Sequence, residues 1–416
     1  MRANLFFAIG LVGCGGSSSV DPCAGVSGDC VAIDSGASGE DIQAALIDVP
    51  AGGTVAFAAG TYDLQTDLSL EVDDVTLEGA GSDATILSFA HQIDGAQGLL
   101  VTGNGVIIHD IAVEDTPGDA IKILGATGVT IQHTRVEWTA GPDVNNGSYG
   151  LYPVQCSNVL IEDSVVKGAS DSGIYVGQSN LVIIQNNDVE FNVAGIEIEN
   201  TSSADVHDNT TTNNTGGILV FNLPGLQVEN GAGTRIFHNQ VFSNNTENFA
   251  PSGNIVGLVP TGTGIAVLAA HSIEIFDNDI HDHLSVNLGI ISYTPTMIPI
   301  TDATYDQYPT ALEIHDNRLS GTSDMPTGEL GGLLISAIGE IQPNPPYIVP
   351  DFAWDGVMDP ARIVGGDYSA DDKICIHDNG DADFINLAWP LGDATLPSED
   401  MTPHACTHAP LPAVTL

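Results

Sequence analysis

The stretch IIQNNDV at Ile183–Val189 decides the fold of this chain, because variants of it return along the sequence. Each copy has an aliphatic residue, two mostly polar residues, an Asn and then a short strand-like segment. The later copies are VHDNTTT, IFHNQVF, IFDNDIH, IHDNRLS and IHDNG, and alignment stacks Asn187, Asn209, Asn239, Asn278, Asn317 and Asn379, with Ile111, Thr134 and Ser164 in the same position upstream. Spacings of 22 to 39 residues from Asn187 to Asn317 indicate one supersecondary unit per repeat.

A second phrase lies between the asparagines: a glycine followed by an apolar, a variable and an apolar residue. It begins at Gly150, Gly173, Gly195, Gly217, Gly264, Gly289 and Gly332. Side chains alternate along a strand, so Ile174 and Val176 point to one face and Tyr175 to the other. Each repeat therefore carries at least two short strands, and equivalent strands are expected to pair in parallel around an apolar interior. The sequence predicts an all-β fold, a right-handed parallel β-helix of about nine or ten coils, with a structural role for the stacked asparagines.

The two ends of this solenoid are predicted from changes in the pattern. After Ser38, a helical pattern places Ile42, Leu46 and Val49 on one face, and this short helix is expected to cap the open first coil. Residues 39–340 are assigned to the β-helix, and residues 341–416 to an insertion, a last coil and a C-terminal cap. Insertions at 223–233, 243–262, 294–309 and 341–372 are expected in turns, where they can wall a binding face.

The first residues have the composition of an export leader. Residues 1–13 combine Arg2 with an apolar run and are predicted to be a lipoprotein signal peptide. The segment Leu11–Cys14 resembles the lipobox of bacterial lipoproteins. Residues 14–38 are then expected to form a flexible tether that carries lipid on Cys14. An ordinary signal peptide with an incidental cysteine is the alternative.

Five cysteines follow the lipobox, and pairing is expected in an exported chain. A bond between Cys23 and Cys30 is expected to close a small loop before the solenoid. A bond between Cys375 and Cys406 is expected to fasten the C-terminal tail, which lacks a repeat pattern, to the last coil. Cys156 remains as a buried thiol.

The chain is strongly acidic. It has 54 acidic and 8 basic residues, which gives a formal net charge of −46. Such a surface repels nucleic acid and bare anionic polymers, and it suits neutral ligands or divalent cations. The sequence therefore predicts that nucleic acid is not a partner.

One outward position of the glycine-led strands forms a stripe with a changing chemistry. Its predicted members are Lys122, Tyr152, Tyr175, Glu197, Leu219, Ala266, Ile291 and Leu334. The first four are the predicted catalytic residues. The predicted substrate-binding residues beside them are Asp119, Asp171 and Glu199. Coils about 4.8 Å apart would unite these side chains in one patch.

Such a patch has the chemistry of a sugar-processing site. Aromatic rings stack on sugar faces, a Tyr or Lys exchanges a proton at a ring carbon, and paired carboxyl groups serve hydrolysis. The alternative is that Tyr and Glu are simply favourable neighbours across strands. The shortage of basic residues disfavours a lyase for polyuronates, because that reaction needs cations or Ca²⁺ to neutralise the substrate carboxylate.

A cation site is predicted in one acidic turn. Asp378, Asp381 and Asp383 offer carboxylates to Ca²⁺, although their spacing differs from that of an EF-hand loop. The alternative is an ordinary Asp-rich turn without metal. No sequence pattern indicates another cofactor.

Several longer stretches carry a resemblance to a known family. They are YGLYPVQC at 149–156, SGIYVGQS at 172–179, AGIEIEN at 194–200, GGILVFNLPGL at 216–226, NFAPSGNIV at 248–256, WDGVMDPA at 354–361 and ICIHDNGDADFIN at 374–386. The chain resembles a bacterial family of exported, often lipid-anchored, parallel β-helix repeat proteins of unassigned activity. That resemblance implies an exported partner related to c-type cytochromes. The solenoid pattern is also similar to that of the pectin-lyase-like proteins, such as pectate lyases and alginate epimerases.

Two functions follow as hypotheses. The first is a lipid-anchored protein of the cell envelope, at the outer membrane or cell surface, that binds or processes a glycan as a lyase, epimerase or hydrolase. The second is a non-catalytic envelope protein that docks a partner, such as the cytochrome-related protein, on the same face. Clustered aromatic and acidic residues favour the first, and the shortage of basic residues favours the second.

Overall fold

A computed structural model describes residues 21–321, 325–342, 344–390 and 396–416. The predicted leader and Cys14 lie outside the described residues. Three long parallel sheets wind around one apolar interior, which confirms the predicted right-handed parallel β-helix. Among the described helices, none is long and apolar enough to cross a membrane.

Each coil contributes up to three strands, one to each sheet. The twelve-stranded sheet contains Cys30–Ile33, Thr54–Phe57, Thr76–Glu78, Ile107–His109, Thr127–Gln132, Ser157–Glu162, Asn180–Gln185, Ser202–His207, Ala232–Phe237, His271–Phe276, Thr310–His315 and Ile374–His377. The eleven-stranded sheet contains Thr66–Leu70, Asp94–Val101, Asp119–Leu124, Tyr149–Val154, Ser172–Gly177, Ala194–Glu199, Gly216–Phe221, Thr263–Leu268, Val286–Ile291, Phe352–Trp354 and Phe384–Asn386. The ten-stranded sheet contains Gly60–Asp63, Thr85–Ser88, Ala112–Glu114, Arg135–Glu137, Val165–Lys167, Asp188–Glu190, Thr210–Thr212, Gln240–Phe242, Asp279–His281 and Arg318–Ser320. The longer sheets thus exceed the predicted nine or ten coils.

Helices lie at the start of the solenoid and outside its later coils. Helix α1, Gly39–Asp48, begins with a capping box between Ser38 and Asp41 and buries Ile42 and Leu46, which confirms the predicted cap. Helix α2 spans Gly328–Ile341. The remaining short elements are the 3₁₀ turns Ile255–Leu258, Thr294–Thr296, Pro360–Arg362 and Thr402–His404 and the antiparallel pair Ile363–Val364 and Asp367–Tyr368.

The stacked asparagines hold one corner of the coil together. The Asn209 side chain accepts from the Asn187 backbone N–H at 3.0 Å and donates to Asn239 Oδ1 at 3.0 Å. It also donates to the carbonyls of Ile184 and His207, each at 2.9 Å. The same bonding continues through Asn278 and Asn317 to Asn379. The asparagines therefore satisfy buried backbone groups at a corner where no strand ladder can.

The residue before each of these asparagines explains how the corner turns. Asn186, Asp208 and His238 have φ values of 57°, 55° and 56°, in the left-handed region. Asn and Asp adopt this region more readily than other non-glycine residues. In each repeat, the first residue of this pair (Asn, Asp or His) makes the turn, and the Asn that follows it stacks on the asparagines of the neighbouring coils.

The C-terminal tail crosses the outside of the twelve-stranded sheet. A disulfide joins Cys375 to Cys406, and backbone N–H groups of the tail then donate to carboxylates on three strands of this sheet. The N–H of His408 donates to Glu313 Oε2 at 2.8 Å, and that of Leu411 to Glu274 Oε2 at 2.9 Å. The N–H of Val414 donates to Asp205 Oδ2 at 3.1 Å. A second disulfide joins Cys23 to Cys30, and Cys156 is a buried free thiol.

Candidate functional site

Strand register places the first four stripe residues together on the outer face of the eleven-stranded sheet. Lys122 pairs with Tyr152, and Tyr175 pairs with Glu197. Leu219 and Ala266 follow on the next two strands. This part of the predicted stripe is therefore one continuous row on neighbouring coils.

The predicted stripe is wrong at its last two members, Ile291 and Leu334. Gly289, and not Ile291, pairs with Ala266, because Asn287 takes the place that glycine holds in the earlier strands. Leu334 lies in helix α2 and not in a strand. The phrase Gly332-Leu333 has the spacing of a strand, but the longer helical run around it decides the local structure.

Insertions cover the apolar half of this face. Val256 and Val259, from the insertion after Asn244, pack with Leu219, and Tyr305 from a later insertion joins the same cluster. Helix α2 packs over the last strands through Leu334 and Ile338. An apolar cavity of about 90 Å³ remains between α2 and the sheet. The apolar part of the face is therefore covered, and partly exposed side chains such as Lys122 and Asp119 lie in its polar part.

Three tyrosine rings form the centre of this polar part, which we call the tyrosine–carboxyl cluster (Asp119, Lys122, Tyr149, Tyr152, Asp171, Ser172, Tyr175, Glu197 and Glu199). The ring centroid of Tyr149 lies 4.4 Å from that of Tyr152 and 4.7 Å from that of Tyr175. The rings of Tyr152 and Tyr175 meet edge to face at 5.0 Å. Lys122 Nζ lies 4.6 Å from the Tyr152 ring centroid, within the range of a cation–π contact.

Hydrogen bonds join the buried carboxyl groups of the cluster to its hydroxyl groups. The Tyr175 hydroxyl donates to Glu199 Oε1 at 2.5 Å. Ser172 Oγ contacts Glu197 Oε2 and lies 3.0 Å from Asp171 Oδ1, so one hydroxyl bridges two acids. Since a hydroxyl donates only one proton, this arrangement favours a proton on one of these two acids.

Burial decides the protonation of these acids. Desolvation raises the pKa of Asp171 to about 6 and that of Glu199 to about 7. Desolvation, and then the charges of Asp171 and Glu199, raise the pKa of Glu197 well above its usual value. Near neutral pH the cluster therefore holds protons that a solvent-exposed set of acids would have lost.

The tyrosines are protonated for the same reason. Desolvation and the nearby carboxylates raise the pKa of Tyr152 to about 12, and they raise the pKa values of Tyr149 and Tyr175 further. At neutral pH these phenols are protonated. They donate hydrogen bonds and offer ring surfaces, and they are not available as bases.

The cluster has two layers. The outer layer is partly exposed: the side chains of Lys122 and Asp119 are 24% and 17% accessible, and their charged atoms lie 3.5 Å apart. The inner layer is buried: Glu197 is only 1% exposed and Tyr175 only 4%. Tyr175 and Glu197 therefore lie in the predicted outward row of the sheet but are buried, and the insertion after Asn244 reaches the cluster through Asn254, which donates to Asp171.

Two residues of the cluster, and one that covers it, were missed by the sequence reasoning. Tyr149 precedes the glycine-led phrase by one residue, yet its ring lies between the other two, and its side chain hydrogen-bonds Asp171. Ser172 holds the equivalent position on the next strand. Asn254, from the covering insertion, donates to Asp171 Oδ2 at 2.7 Å. Alignment of the strands could have found the first two, whereas nothing local in the sequence points to Asn254.

The predicted calcium ligands have other partners. Asp378 Oδ2 lies 2.9 Å from His377 Nδ1, and Asp383 Oδ1 accepts the Asp351 N–H at 2.7 Å. Asp381 is exposed. In the described ranges, the group of three residues that brings metal-binding atoms within 4.8 Å of one another is a different one: Glu313, Cys375 and His408.

Residues 97–280 match the family model of the right-handed β-helix region. No curated protein matches the chain at a significant level. The A-module of the mannuronan C-5 epimerase AlgE4 from Azotobacter vinelandii has a similar structure, with a TM-score of 0.55 and 19% identity over 83% of this chain and 92% of that one. An alginate lyase from Paenibacillus sp. str. FPU-7 aligns with a TM-score of 0.42 and 14% identity over 70% of this chain and 95% of its own. At 19% identity, the likeness to the epimerase module concerns the fold alone.

Proposed function

We propose that this right-handed β-helix protein binds a glycan on the outer layer of its tyrosine–carboxyl cluster and processes it by proton transfer. One observation carries this function: acids that retain protons near neutral pH lie directly behind partly exposed aromatic and charged groups. The epimerase module that shares the fold is named for a polysaccharide substrate, mannuronan. In the chain described here, the function rests on the side chains of the cluster and not on the shared fold.

The outer layer provides the binding surface. The Tyr152 ring offers a face for a sugar ring, and its hydroxyl offers a hydrogen bond to a sugar oxygen. Lys122 and Asp119, which lie 3.5 Å apart at the rim, provide one donor and one acceptor for sugar hydroxyls. A small apolar platform with a few fixed polar groups is the usual composition of a ligand site.

The inner layer provides the proton. Glu199 has a pKa of about 7 and therefore exists in both protonation states near neutral pH, which suits a general acid or base. Its bond to the Tyr175 hydroxyl stabilises the carboxylate form. Tyr175 and Glu197 are then positioning residues that set the proton affinity of Glu199 and do not touch the glycan.

Charge selects the kind of glycan. The cluster contains four carboxyl groups and one ammonium group, Lys122, so it lacks the cations that would neutralise the acid of a uronate. A neutral or amino sugar avoids that repulsion. The proposed substrate is therefore a glycan without acidic groups, and the proposed chemistry favours hydrolysis over β-elimination.

The Tyr152→Ala variant tests the proposed binding surface. Because the ring supplies the stacking face, we expect the affinity for a bound neutral oligosaccharide to fall by about tenfold. The measurement is calorimetric titration with neutral oligosaccharides, chosen from a screen that also includes polyuronate oligomers.

Glu199→Gln should bind the same ligand as wild type but lose turnover in a depolymerisation assay.

Phe242→Ala is the matched control, because this ring stacks on His281 on the ten-stranded sheet, away from the cluster. It should bind and react like wild type. If the panel yields polyuronate ligands alone, or if Tyr152→Ala binds as tightly as wild type, the glycan function at this face is wrong. The second hypothesis, partner docking, then replaces it.

We also propose that Cys14 carries lipid and holds the protein in the cell envelope. The support is the sequence Leu11–Cys14 after an apolar run. Because an acidic surface is not attracted to anionic lipids, acyl chains would supply the anchoring free energy. The Cys14→Ala variant is expected to move from the membrane fraction to the soluble fraction after cell lysis. Wild-type protein found in the soluble fraction, at its full chain mass and without an acyl group, would contradict this proposal.

A further inference from the structure

We infer that the C-terminal disulfide belongs to a site with two states. In the oxidised state Cys375 and Cys406 are bonded to each other, and in the reduced state the site binds a divalent metal ion of the zinc type. In that second state the ligands are the two sulfurs released by reduction, Cys375 and Cys406, together with Glu313 and His408. The site lies at the root of the C-terminal tail on the twelve-stranded sheet, whereas the tyrosine–carboxyl cluster lies on the eleven-stranded sheet. It is independent of the proposed glycan function.

The donor atoms are already close together. One ligand atom from each of Glu313, Cys375 and His408 lies within 4.8 Å of the other two. Cys406 is bonded to Cys375, so its sulfur lies directly beside one of these atoms. Two thiolates, an imidazole and a carboxylate are a donor set that zinc accepts in tetrahedral geometry.

Two different parts of the chain supply these donors. Glu313 and Cys375 face each other on paired strands of the twelve-stranded sheet and are both buried. Cys406 and His408 belong to the tail, and the backbone bond from His408 to Glu313 holds them over the sheet. A metal ion at this point would therefore replace one covalent link between tail and sheet with several coordinate bonds.

The groups around the donors support ligation. His408 Nε2 lies 2.9 Å from the Lys373 carbonyl, so it carries the proton of the neutral ring and leaves Nδ1 with a free lone pair. Glu313 Oε1 lies 2.8 Å from His377 Nε2. Ligating histidines commonly donate their other N–H to a carbonyl, and ligating carboxylates are commonly hydrogen-bonded as well. Both supporting contacts are present in this structure.

The conversion between the two states is a reduction followed by metal binding. A water-soluble phosphine attacks one sulfur, the S–S bond breaks, and phosphorus loses two electrons to become a phosphine oxide. Water supplies its oxygen and the two protons that the sulfurs take up. The metal ion then displaces both protons, because thiolates and not thiols are the ligands. An oxidising compartment favours the disulfide, and reducing conditions favour the metal-bound state.

The test uses Co²⁺ as a spectroscopic probe and Zn²⁺ as the competitor. The full chain carries Cys14→Ser, Cys23→Ser and Cys30→Ser so that these thiols cannot bind the probe. After phosphine reduction we expect one Co²⁺ per chain with a thiolate-to-cobalt absorption band, which Zn²⁺ abolishes. The oxidised protein should show no such band. His408→Ala should weaken Zn²⁺ binding by more than about tenfold, whereas His133→Ala, an exposed histidine on an earlier coil, should not change it.

The Cys406→Ser variant shows whether the remaining ligands bind metal in a protein that lacks the disulfide and has not been treated with a reductant. This variant cannot form the disulfide, and it keeps Glu313, Cys375 and His408 without any reductant. It should bind Zn²⁺ more weakly than the reduced parent but measurably, with the β-sheet circular dichroism of the parent. No thiolate–cobalt band in either protein would overturn the inference. Equal Zn²⁺ affinity of the parent and His408→Ala would also overturn it, because the thiols alone would then account for binding.

Discussion

Replacing Asn209 with alanine is expected to lower the free energy of unfolding by about 2 to 5 kcal/mol. The side chain of Asn209 accepts from the Asn187 backbone and donates to two carbonyls and to Asn239. Alanine removes the partner of the Asn187 N–H and the donor to the Ile184 and His207 carbonyls, whereas Asn239 Oδ1 still accepts the backbone N–H at position 209. Each unpaired group costs about 1 to 3 kcal/mol unless water replaces the amide. Chemical denaturation followed by circular dichroism measures the change.

Asp188→Ala is the control for this prediction, because Asp188 is exposed on the neighbouring strand and has no side-chain partner among the described hydrogen bonds. It should change the free energy of unfolding by less than about 0.5 kcal/mol. Asn209→Ser should fall between the two variants, since Ser164 already holds this ladder position in an earlier coil and accepts from the Thr134 N–H. Equal stability of Asn209→Ala and wild type would show that the ladder contributes nothing.

Stability is expected to fall as the pH rises from about 5 to about 8, through the titration of the buried acids. The folded-state pKa of Glu199 is raised from 4.5 to about 7. A raised carboxyl pKa means that the folded state holds its proton more tightly than the unfolded state. The contribution of that proton to stability is complete below about pH 4.5 and is lost as the pH rises through about 7.

The size of this effect follows from the shift. For Glu199 it is on the order of 3 kcal/mol, because one pKa unit corresponds to about 1.4 kcal/mol. Asp171, with a pKa of about 6, adds to the same trend, as does Glu197. Glu199→Gln should therefore lose less stability than wild type between about pH 5 and about pH 8, and it should be the more stable protein at the higher pH.

General repulsion among the acidic residues also changes with pH, so a charge-matched variant is needed. Glu78→Gln removes one negative charge from the twelve-stranded sheet, outside the cluster. It should keep the pH dependence of wild type. If Glu199→Gln and Glu78→Gln follow the same curve of melting temperature against pH, the acids of the cluster are not held protonated by burial.

The repeat pattern allowed the fold to be predicted because a solenoid is built from local and nearest-neighbour contacts. Each Asn209-type residue forms its bonds with the coil before and the coil after, so one sequence phrase fixes both the corner and the stacking. The amphipathic pattern after Ser38 located helix α1 for a similar reason, since capping and apolar spacing lie within ten residues. The neighbours Lys122 and Tyr152 also followed from the repeat alignment alone.

The later stripe could not be predicted in the same way. At Asn287 the glycine that marks the strand start is replaced, and the next glycine, Gly289, lies two residues further on. Period-2 alternation still places apolar residues inside, so the phrase looks regular although its register has changed. Around Leu334 a strand-like phrase is part of a longer amphipathic helix.

By itself, then, the sequence determined the coil, its Asn corner and the row of side chains that share its outer face, because each depends on residues repeated at a regular spacing. Only the tertiary structure decided which of those side chains meet solvent. Asn254 reaches Asp171 across 83 residues, and the insertion that carries it follows no repeat. Tyr175 and Glu197 are buried in the folded chain and have raised pKa values, because desolvation depends on everything packed around a side chain and not on its own strand.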